Sequence, residues 1–107
     1  MAKILIIEDE PELRDIYALF LGEFEIVFAL EKDEIEAVIE QVDLVVSDYS
    51  FNPRLSFEQI REIVGDRKPL ILCSGQFDKV DQYGGVHKIE ASKQLKPRIM
   101  ALLRGAA

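Results

Sequence analysis

Residues 3–9, Lys-Ile-Leu-Ile-Ile-Glu-Asp, form an aliphatic run that ends in two acids. A short apolar run rich in β-branched residues predicts a buried β-strand over Lys3–Ile7. Pro11 follows the acids, and a proline preceded by acids is typical of the first turn of a helix. This stretch therefore predicts a strand, an acidic turn and a helix in succession.

The same alternation continues along the chain. Further strands are predicted at Glu25–Ala29, Leu44–Ser47, Leu70–Cys73 and Val86–Ile89. Ser56 and Gln59 have the spacing of a capping box, which predicts a helix that begins there and ends at Gly65. The apolar positions of the other predicted helices are Leu13, Ile16, Tyr17, Phe20 and Phe24, then Ile35, Val38, Ile39 and Val42, and finally Leu95, Ile99 and Leu102.

Continuous apolar strands that alternate with helices indicate an α/β fold with a parallel sheet covered on both faces. Right-handed crossovers make such a sheet doubly wound. The chain has 107 residues and neither a linker nor an internal repeat, so residues 1–107 are predicted to be one domain. Ligands of these folds bind beyond the carboxyl ends of the strands, so candidate site residues are sought there.

Composition excludes several classes of function. A net charge of −7 argues against direct nucleic-acid binding. One cysteine excludes a disulfide framework, and one histidine excludes a multi-histidine metal site. No apolar run approaches the ~20 residues of a membrane span, and the N-terminus lacks a signal-peptide pattern. We expect a soluble, cytoplasmic protein.

The charge is divided unevenly along the chain. Residues 1–58 carry a net charge of −11, whereas residues 59–107 carry +4. The last seventeen residues, 91–107, hold four bases and no acid. This basic segment is either a solvated helix face or a docking surface for an acidic partner.

Polar residues follow four of the predicted strands. Glu8 and Asp9 follow the first strand, Asp48 the third and Ser74 the fourth, and Lys88 lies within or just after the fifth. Neighbouring carboxylates repel each other unless a cation is present, and oxygen ligands of this kind suit Mg²⁺. An aspartate beside Mg²⁺ and a lysine is a candidate phosphoryl acceptor.

Three segments together resemble the receiver domain of two-component response regulators. They are Ile-Leu-Ile-Ile-Glu-Asp-Glu (4–10), Asp-Leu-Val-Val-Ser-Asp-Tyr (43–49) and Leu-Ile-Leu-Cys-Ser-Gly (70–75). The resemblance covers essentially the whole chain. It implies a doubly wound five-stranded parallel sheet with the flavodoxin-like strand order 2-1-3-4-5.

The resemblance also implies a function. A histidine kinase or phosphotransfer protein would phosphorylate Asp48, self-dephosphorylation would follow, and an unidentified output protein would read the result. A homodimer is compatible with this scheme, and no separate enzymatic activity is implied. The implied roles are Mg²⁺ binding by Glu8, Asp9, Asp48 and the backbone carbonyl of Ser50, and phosphate sensing by Ser74 and Lys88.

The identity of the lysine needs an argument. Receiver domains usually have Lys-Pro after the fifth strand, and this chain has Lys96-Pro97. Only ten residues follow Pro97, which are too few for a final helix of ordinary length. The alternative, Lys88, leaves room for the helix and puts Pro97 inside it or at a late start. We therefore predict Lys88.

The chain departs from the family in two further places. Thirteen residues separate Ser74 from Lys88, so the fourth helix is predicted to have at most about two turns, or to be replaced by a loop over Phe77–Tyr83. Gly85 stands where receivers usually have a switch aromatic, unless Tyr83 substitutes. Pro53 comes one residue later than usual.

These departures favour an alternative, a receiver-like interaction module that works without phosphorylation. A third alternative, a flavodoxin-like cofactor binder, is disfavoured because acids occupy the turn after the first strand, where a phosphate-binding loop needs glycine and backbone amides.

Overall fold

The computed structural model describes residues 2–51 and 55–105, so Pro53 lies outside the described residues. A five-stranded parallel sheet has the order β2-β1-β3-β6-β7, which confirms the predicted fold class and strand order. The strands are β1 (Lys3–Ile7), β2 (Glu25–Phe28), β3 (Leu44–Ser47), β4 (Ser50–Phe51), β5 (Leu55–Ser56), β6 (Leu70–Ser74) and β7 (Val86–His87), of which β4 and β5 form a separate antiparallel ribbon. The helices are α1 (Pro11–Phe20), α2 (Lys32–Val38), α3 (Phe57–Val64), α4 (Phe77–Tyr83) and α5 (Ala91–Gly105).

The sheet has a hydrophobic layer on each face because alternate residues of a strand point to opposite sides. Ile4 and Ile6 of β1 face a core that includes residues of α1 and α5. Leu5 and Ile7 face the other core, which includes residues of α2 and α3. The near-continuous apolar strands of the sequence are thus explained by burial on both faces.

Strand register brings the predicted site residues to one edge of the sheet. Ile7 of β1 pairs with Ser47 of β3, so the next residues, Glu8 and Asp48, leave the sheet side by side. The outermost strand β7 continues the edge, since its last residue, His87, pairs with Ser74 of β6.

Helix boundaries follow the local signals in the sequence. Pro11 is the first residue of α1, and α3 begins after Ser56 in the predicted capping box. In that box Ser56 Oγ accepts the Gln59 amide hydrogen, and the Gln59 side chain accepts the Ser56 amide hydrogen. The predicted second helix is interrupted, because α2 ends at Val38 and a 3₁₀ turn follows over Ile39–Gln41.

The prediction of a strand over Val86–Ile89 is wrong for its last two residues. β7 contains only Val86 and His87, and Lys88–Glu90 form a 3₁₀ turn. The reason is a lack of partners, since β7 pairs with β6 and β6 ends at Ser74, opposite His87. A strand without a neighbour to accept its hydrogen bonds does not continue.

The short connection between β6 and β7 does contain a helix. α4 has seven residues, within the predicted limit of about two turns, and Gly84 ends it in the left-handed conformation. Gly85 then passes very close to β6, where an added Cβ would lie 2.4 Å from the Leu72 carbonyl oxygen. An aromatic side chain at this position would require the backbone to move.

The final helix, α5, runs from Ala91 to Gly105 with Pro97 inside it, which is one of the two predicted placements. Leu95 and Ile99 are fully buried against the sheet, so packing holds the helix where proline removes one backbone hydrogen bond. Among the described residues, no helix is long and apolar enough to cross a membrane.

The close approach at Gly85 predicts a large effect of one methyl group. We expect Gly85→Ala to lower the free energy of unfolding by about 2 kcal/mol or more, because the new Cβ would overlap the Leu72 backbone. Urea unfolding followed by circular dichroism measures this loss.

Gly75→Ala is the matched control, since an added Cβ there meets nothing within 4 Å and φ does not lie in the left-handed region. It should change the unfolding free energy by about 0.5 kcal/mol or less. Equal losses in the two variants would contradict the packing described for Gly85.

Candidate functional site

The turn after β1 holds three acids in a small space. Glu8 is buried with a relative exposure of 1%, Asp9 is half-buried and Glu10 is exposed. One carboxylate oxygen from each lies within 4.8 Å of the others. Pro11 starts α1 immediately afterwards, which fixes the direction in which the turn leaves the sheet.

The buried carboxylate of Glu8 is incompletely satisfied by hydrogen bonds. Oε2 accepts the Glu10 amide hydrogen at 3.3 Å, whereas Oε1 has no hydrogen-bond partner among the described residues. Arg14 Nε donates to the Glu8 backbone carbonyl at 2.7 Å, so its guanidinium holds the turn through the backbone. Burial raises the pKa of Glu8 above 4.5, and the charge of Lys88 opposes this increase only in part.

Asp48 directly follows β3 and lies at the same edge of the sheet. Its side chain is 16% exposed. Oδ1 accepts the Tyr49 amide hydrogen at 2.6 Å, and Oδ2 accepts a hydrogen bond from Lys88 Nζ at 2.5 Å. The carboxylate is therefore held at both oxygens, yet it keeps some access to solvent.

Lys88 links the two acidic positions. Its ammonium lies 2.5 Å from Asp48 Oδ2 and 3.4 Å from Glu8 Oε1. Burial by itself would lower the pKa of Lys88, but the hydrogen bond to Asp48 and the charges of Asp48 and Glu8 raise it above 10.5. The side chain is thus a positive charge at neutral pH, positioned between two carboxylates.

The structure shows which of the two candidate lysines lies beside the acids. Lys88 contacts Glu8 and Asp48, whereas Lys96 forms an exposed ion pair with Glu23. The 3₁₀ turn after β7 places Lys88 at the edge of the sheet, while Lys96 lies within α5.

The remaining predicted residues lie near this edge. Ser74 is the last residue of β6 and is buried, and its Oγ accepts the Gln76 amide hydrogen at 3.1 Å. Ser50 lies two residues past Asp48 in β4, where it pairs with Ser56. The role of Ser74 in phosphate sensing and that of the Ser50 carbonyl in metal binding remain predictions.

The acidic turn provides oxygen ligands that suit Mg²⁺. Glu8 Oε1 is buried and has no hydrogen bond among the described residues, and each of the three acids offers one oxygen, the hard ligand that this ion prefers, within 4.8 Å of the other two. Glu10 joins Glu8 and Asp9 in this group, which the sequence reasoning did not include. Glu10 directly follows Asp9 in the sequence, and this adjacency could have indicated that it belongs to the group.

An aromatic cluster beside Asp48 was also not predicted as a unit. Tyr49 and Tyr83 both donate hydrogen bonds to Glu58 Oε1, at 2.9 and 3.0 Å. The Phe57 ring packs edge-on against Tyr83 with ring centroids 4.9 Å apart, and Lys79 lies over the Tyr49 ring. Tyr83 therefore lies beside Tyr49, the residue after Asp48, with ring centroids 6.3 Å apart.

Comparisons with known proteins agree with this fold. The receiver domain of a putative Luxo repressor protein from Vibrio parahaemolyticus has a TM-score of 0.79 at 19% identity, covering 98% of this chain and 92% of the other. A response regulator receiver domain protein from Clostridium thermocellum has a TM-score of 0.79 at 22% identity, covering 99% and 97%. The BeF₃-activated N-terminal receiver domain of RstA from Klebsiella pneumoniae has a TM-score of 0.78 at 25% identity, covering 95% and 98%.

No protein-family profile and no curated protein sequence matches the chain. The similarity therefore lies in the three-dimensional structure. It confirms the resemblance to receiver domains at the level of the fold.

The raised pKa of Glu8 predicts how stability depends on pH. An acid whose pKa is higher in the folded state stabilises the fold below its unfolded pKa, and this stabilisation is lost as pH rises through the folded value. We expect Glu8→Gln to remove this loss, because the amide is never charged. Each unit of pKa difference corresponds to about 1.4 kcal/mol, so urea unfolding across pH 4 to 8 measures it.

Glu12→Gln is the matched control, because Glu12 is exposed in the first turn of α1. Its stability profile should run parallel to that of the unmodified chain. A Glu8→Gln profile that is also parallel would show that burial does not disfavour the charged form of Glu8.

Proposed function

We propose that this chain is a cytoplasmic receiver domain, spanning residues 1–107, in which Asp48 accepts a phosphoryl group in the presence of Mg²⁺. The observation that carries the proposal is the contact of one ammonium, that of Lys88, with both Asp48 and the buried Glu8. The receiver fold and the similarity to the BeF₃-activated RstA domain support it. A histidine kinase or phosphotransfer protein would supply the phosphoryl group.

Phosphoryl transfer requires an aspartate whose carboxylate is fixed in position and accessible to the phosphoryl donor. A carboxylate oxygen of Asp48 attacks phosphorus, and the bond from phosphorus to the donor imidazole nitrogen breaks as the new bond forms. Lys88 and the Tyr49 amide offset negative charge at the acceptor, since both already contact the Asp48 carboxylate. The Ser74 hydroxyl would then bind a phosphoryl oxygen.

Mg²⁺ would be held by Glu8, Asp9 and Asp48, with the Ser50 carbonyl as a further ligand. When bound, the ion supplies positive charge that neutralises the oxygens of the transferring group. Glu8 suits this task because its Oε1 is buried and faces the Lys88 ammonium, 3.4 Å away.

The response would reach a partner-binding surface through α4. Tyr49 donates its amide to Asp48 and shares Glu58 Oε1 with Tyr83, the last residue of α4. A change in the position of Asp48 would therefore be transmitted to α4 by side-chain contacts. This route would replace the switch aromatic whose position Gly85 occupies.

A second candidate function is an interaction module that needs no phosphorylation. The specific observation in its favour is the close contact of Gly85 with Leu72, which excludes a switch aromatic from position 85, just before β7. In this case the acidic edge would be structural, and the state of Asp48 would leave the partner surface unchanged.

The phosphoacceptor proposal predicts a covalent adduct on Asp48. Incubation with acetyl phosphate and Mg²⁺ should add one phosphate, detected by intact-mass spectrometry, and Asp48→Asn should reduce the adduct by at least about 100-fold because the nucleophile is gone. In the unmodified chain, beryllofluoride with Mg²⁺ should also shift the Tyr83 ring signals in the NMR spectrum.

The control is Asp66→Asn, which removes an exposed carboxylate outside the site and should leave the adduct unchanged. An adduct that persists in Asp48→Asn would contradict the choice of acceptor. No adduct, together with unchanged Tyr83 signals, would favour the interaction module.

A further inference from the structure

His87 bridges the turn that follows Ser74 and the turn that begins at Lys88. Its Nδ1 accepts the Ile89 amide hydrogen at 3.1 Å and thereby caps the 3₁₀ turn of Lys88. Its Nε2 lies 3.2 Å from the carbonyl oxygen of Gly75, the residue after Ser74. One imidazole thus contacts both turns.

These two contacts define the tautomer of the ring. Because Nδ1 accepts a hydrogen bond it carries no hydrogen, so Nε2 carries the hydrogen and donates it to Gly75. The ring is 8% exposed and stacks on Phe77, with ring centroids 3.8 Å apart and planes 19° from parallel. Phe77 starts α4, so the imidazole also contacts the short helix.

The two hydrogen bonds of His87 matter because backbone pairing gives the Lys88 turn little support. β7 has two residues, and its pairing with β6 consists of Cys73 with Val86 and Ser74 with His87. Lys88 follows at once, outside any strand. Hydrogen bonds from one side chain therefore supply the support that a longer strand would provide through its ladder.

We propose that His87 is a positioning residue, which fixes the Lys88 turn against the Ser74–Gly75 turn and so sets where the Lys88 ammonium lies between Glu8 and Asp48. The consequence for phosphorylation rests on the proposed function. The positioning of Lys88 is a property of the fold and can be measured without phosphorylation.

Three substitutions separate the effects of the two His87 hydrogen bonds and of the stacking on Phe77. His87→Phe keeps a ring that can stack on Phe77 but loses both hydrogen bonds. His87→Asn keeps an acceptor close to the Nδ1 position, since asparagine at this capping position accepts the amide hydrogen two residues on. His87→Gln places an amide donor near the Nε2 position.

The first measurement is the ¹⁵N NMR spectrum of the ring, which is unambiguous because the chain has one histidine. We expect a protonated Nε2 and an unprotonated Nδ1 at neutral pH. A protonated Nδ1 would overturn the proposal, because the ring could not then accept the Ile89 amide hydrogen.

The second measurement follows the Ile89 amide and the Lys88 side chain by NMR. His87→Phe should speed hydrogen exchange of the Ile89 amide by about tenfold and shift the side-chain signals of Lys88, because both hydrogen bonds of the ring are lost. His87→Asn should restore most of the Ile89 protection, whereas His87→Gln should not. Unchanged Ile89 exchange and unchanged Lys88 side-chain signals in His87→Phe would overturn the proposal.

The functional consequence is tested with acetyl phosphate and Mg²⁺. His87→Phe should slow formation of the adduct by about tenfold, and His87→Asn should recover part of the rate. If the unmodified chain forms no adduct, the proposed function fails, while the NMR measurements still decide whether His87 positions Lys88. Equal rates in all three variants and the unmodified chain would overturn the role of His87.

Discussion

The site depends on one constraint, which is that the buried carboxylate of Glu8 and the neighbouring carboxylate of Asp48 need positive charge close by. Lys88 supplies that charge through direct contact with both. The register of the parallel sheet brings the two carboxylates together, because Ile7 and Ser47 are paired and the acids that follow them leave the sheet side by side. The turn that carries Lys88 must therefore be held in place, and it follows a strand of only two residues.

The short segment between Ser74 and Lys88 holds the Lys88 turn in place. α4 has only seven residues, and Gly85 passes against the Leu72 backbone. His87 connects the turn that follows Ser74 with the turn that begins at Lys88. The close approach at Gly85 leaves no space for an aromatic side chain at this position, just before β7. Aromatic contacts instead involve the residue after Asp48, where Tyr49 and Tyr83 share Glu58.

Much of this arrangement could be predicted from the sequence, because burial on both faces makes the strands apolar and capping residues mark where helices begin. The strand over Lys3–Ile7 is an example, whereas the strand order was implied by the resemblance to receiver domains. The end of β7 at His87 could not be predicted, since it depends on where its neighbour β6 stops. The contact of His87 with Gly75 and that of Glu58 with Tyr83 were also out of reach, because these partners are distant in sequence and are brought close only by the fold.

A double-mutant cycle on the unfolding free energy tests the central contact between Lys88 and Asp48 most directly. Lys88→Met, Asp48→Asn and the combined variant should give a coupling of at least about 1 kcal/mol at neutral pH, because both side chains are largely shielded from water. The same cycle on the exposed pair Lys96 and Glu23 should give about 0.5 kcal/mol or less. Additivity within about 0.5 kcal/mol for Lys88 and Asp48 would contradict the account.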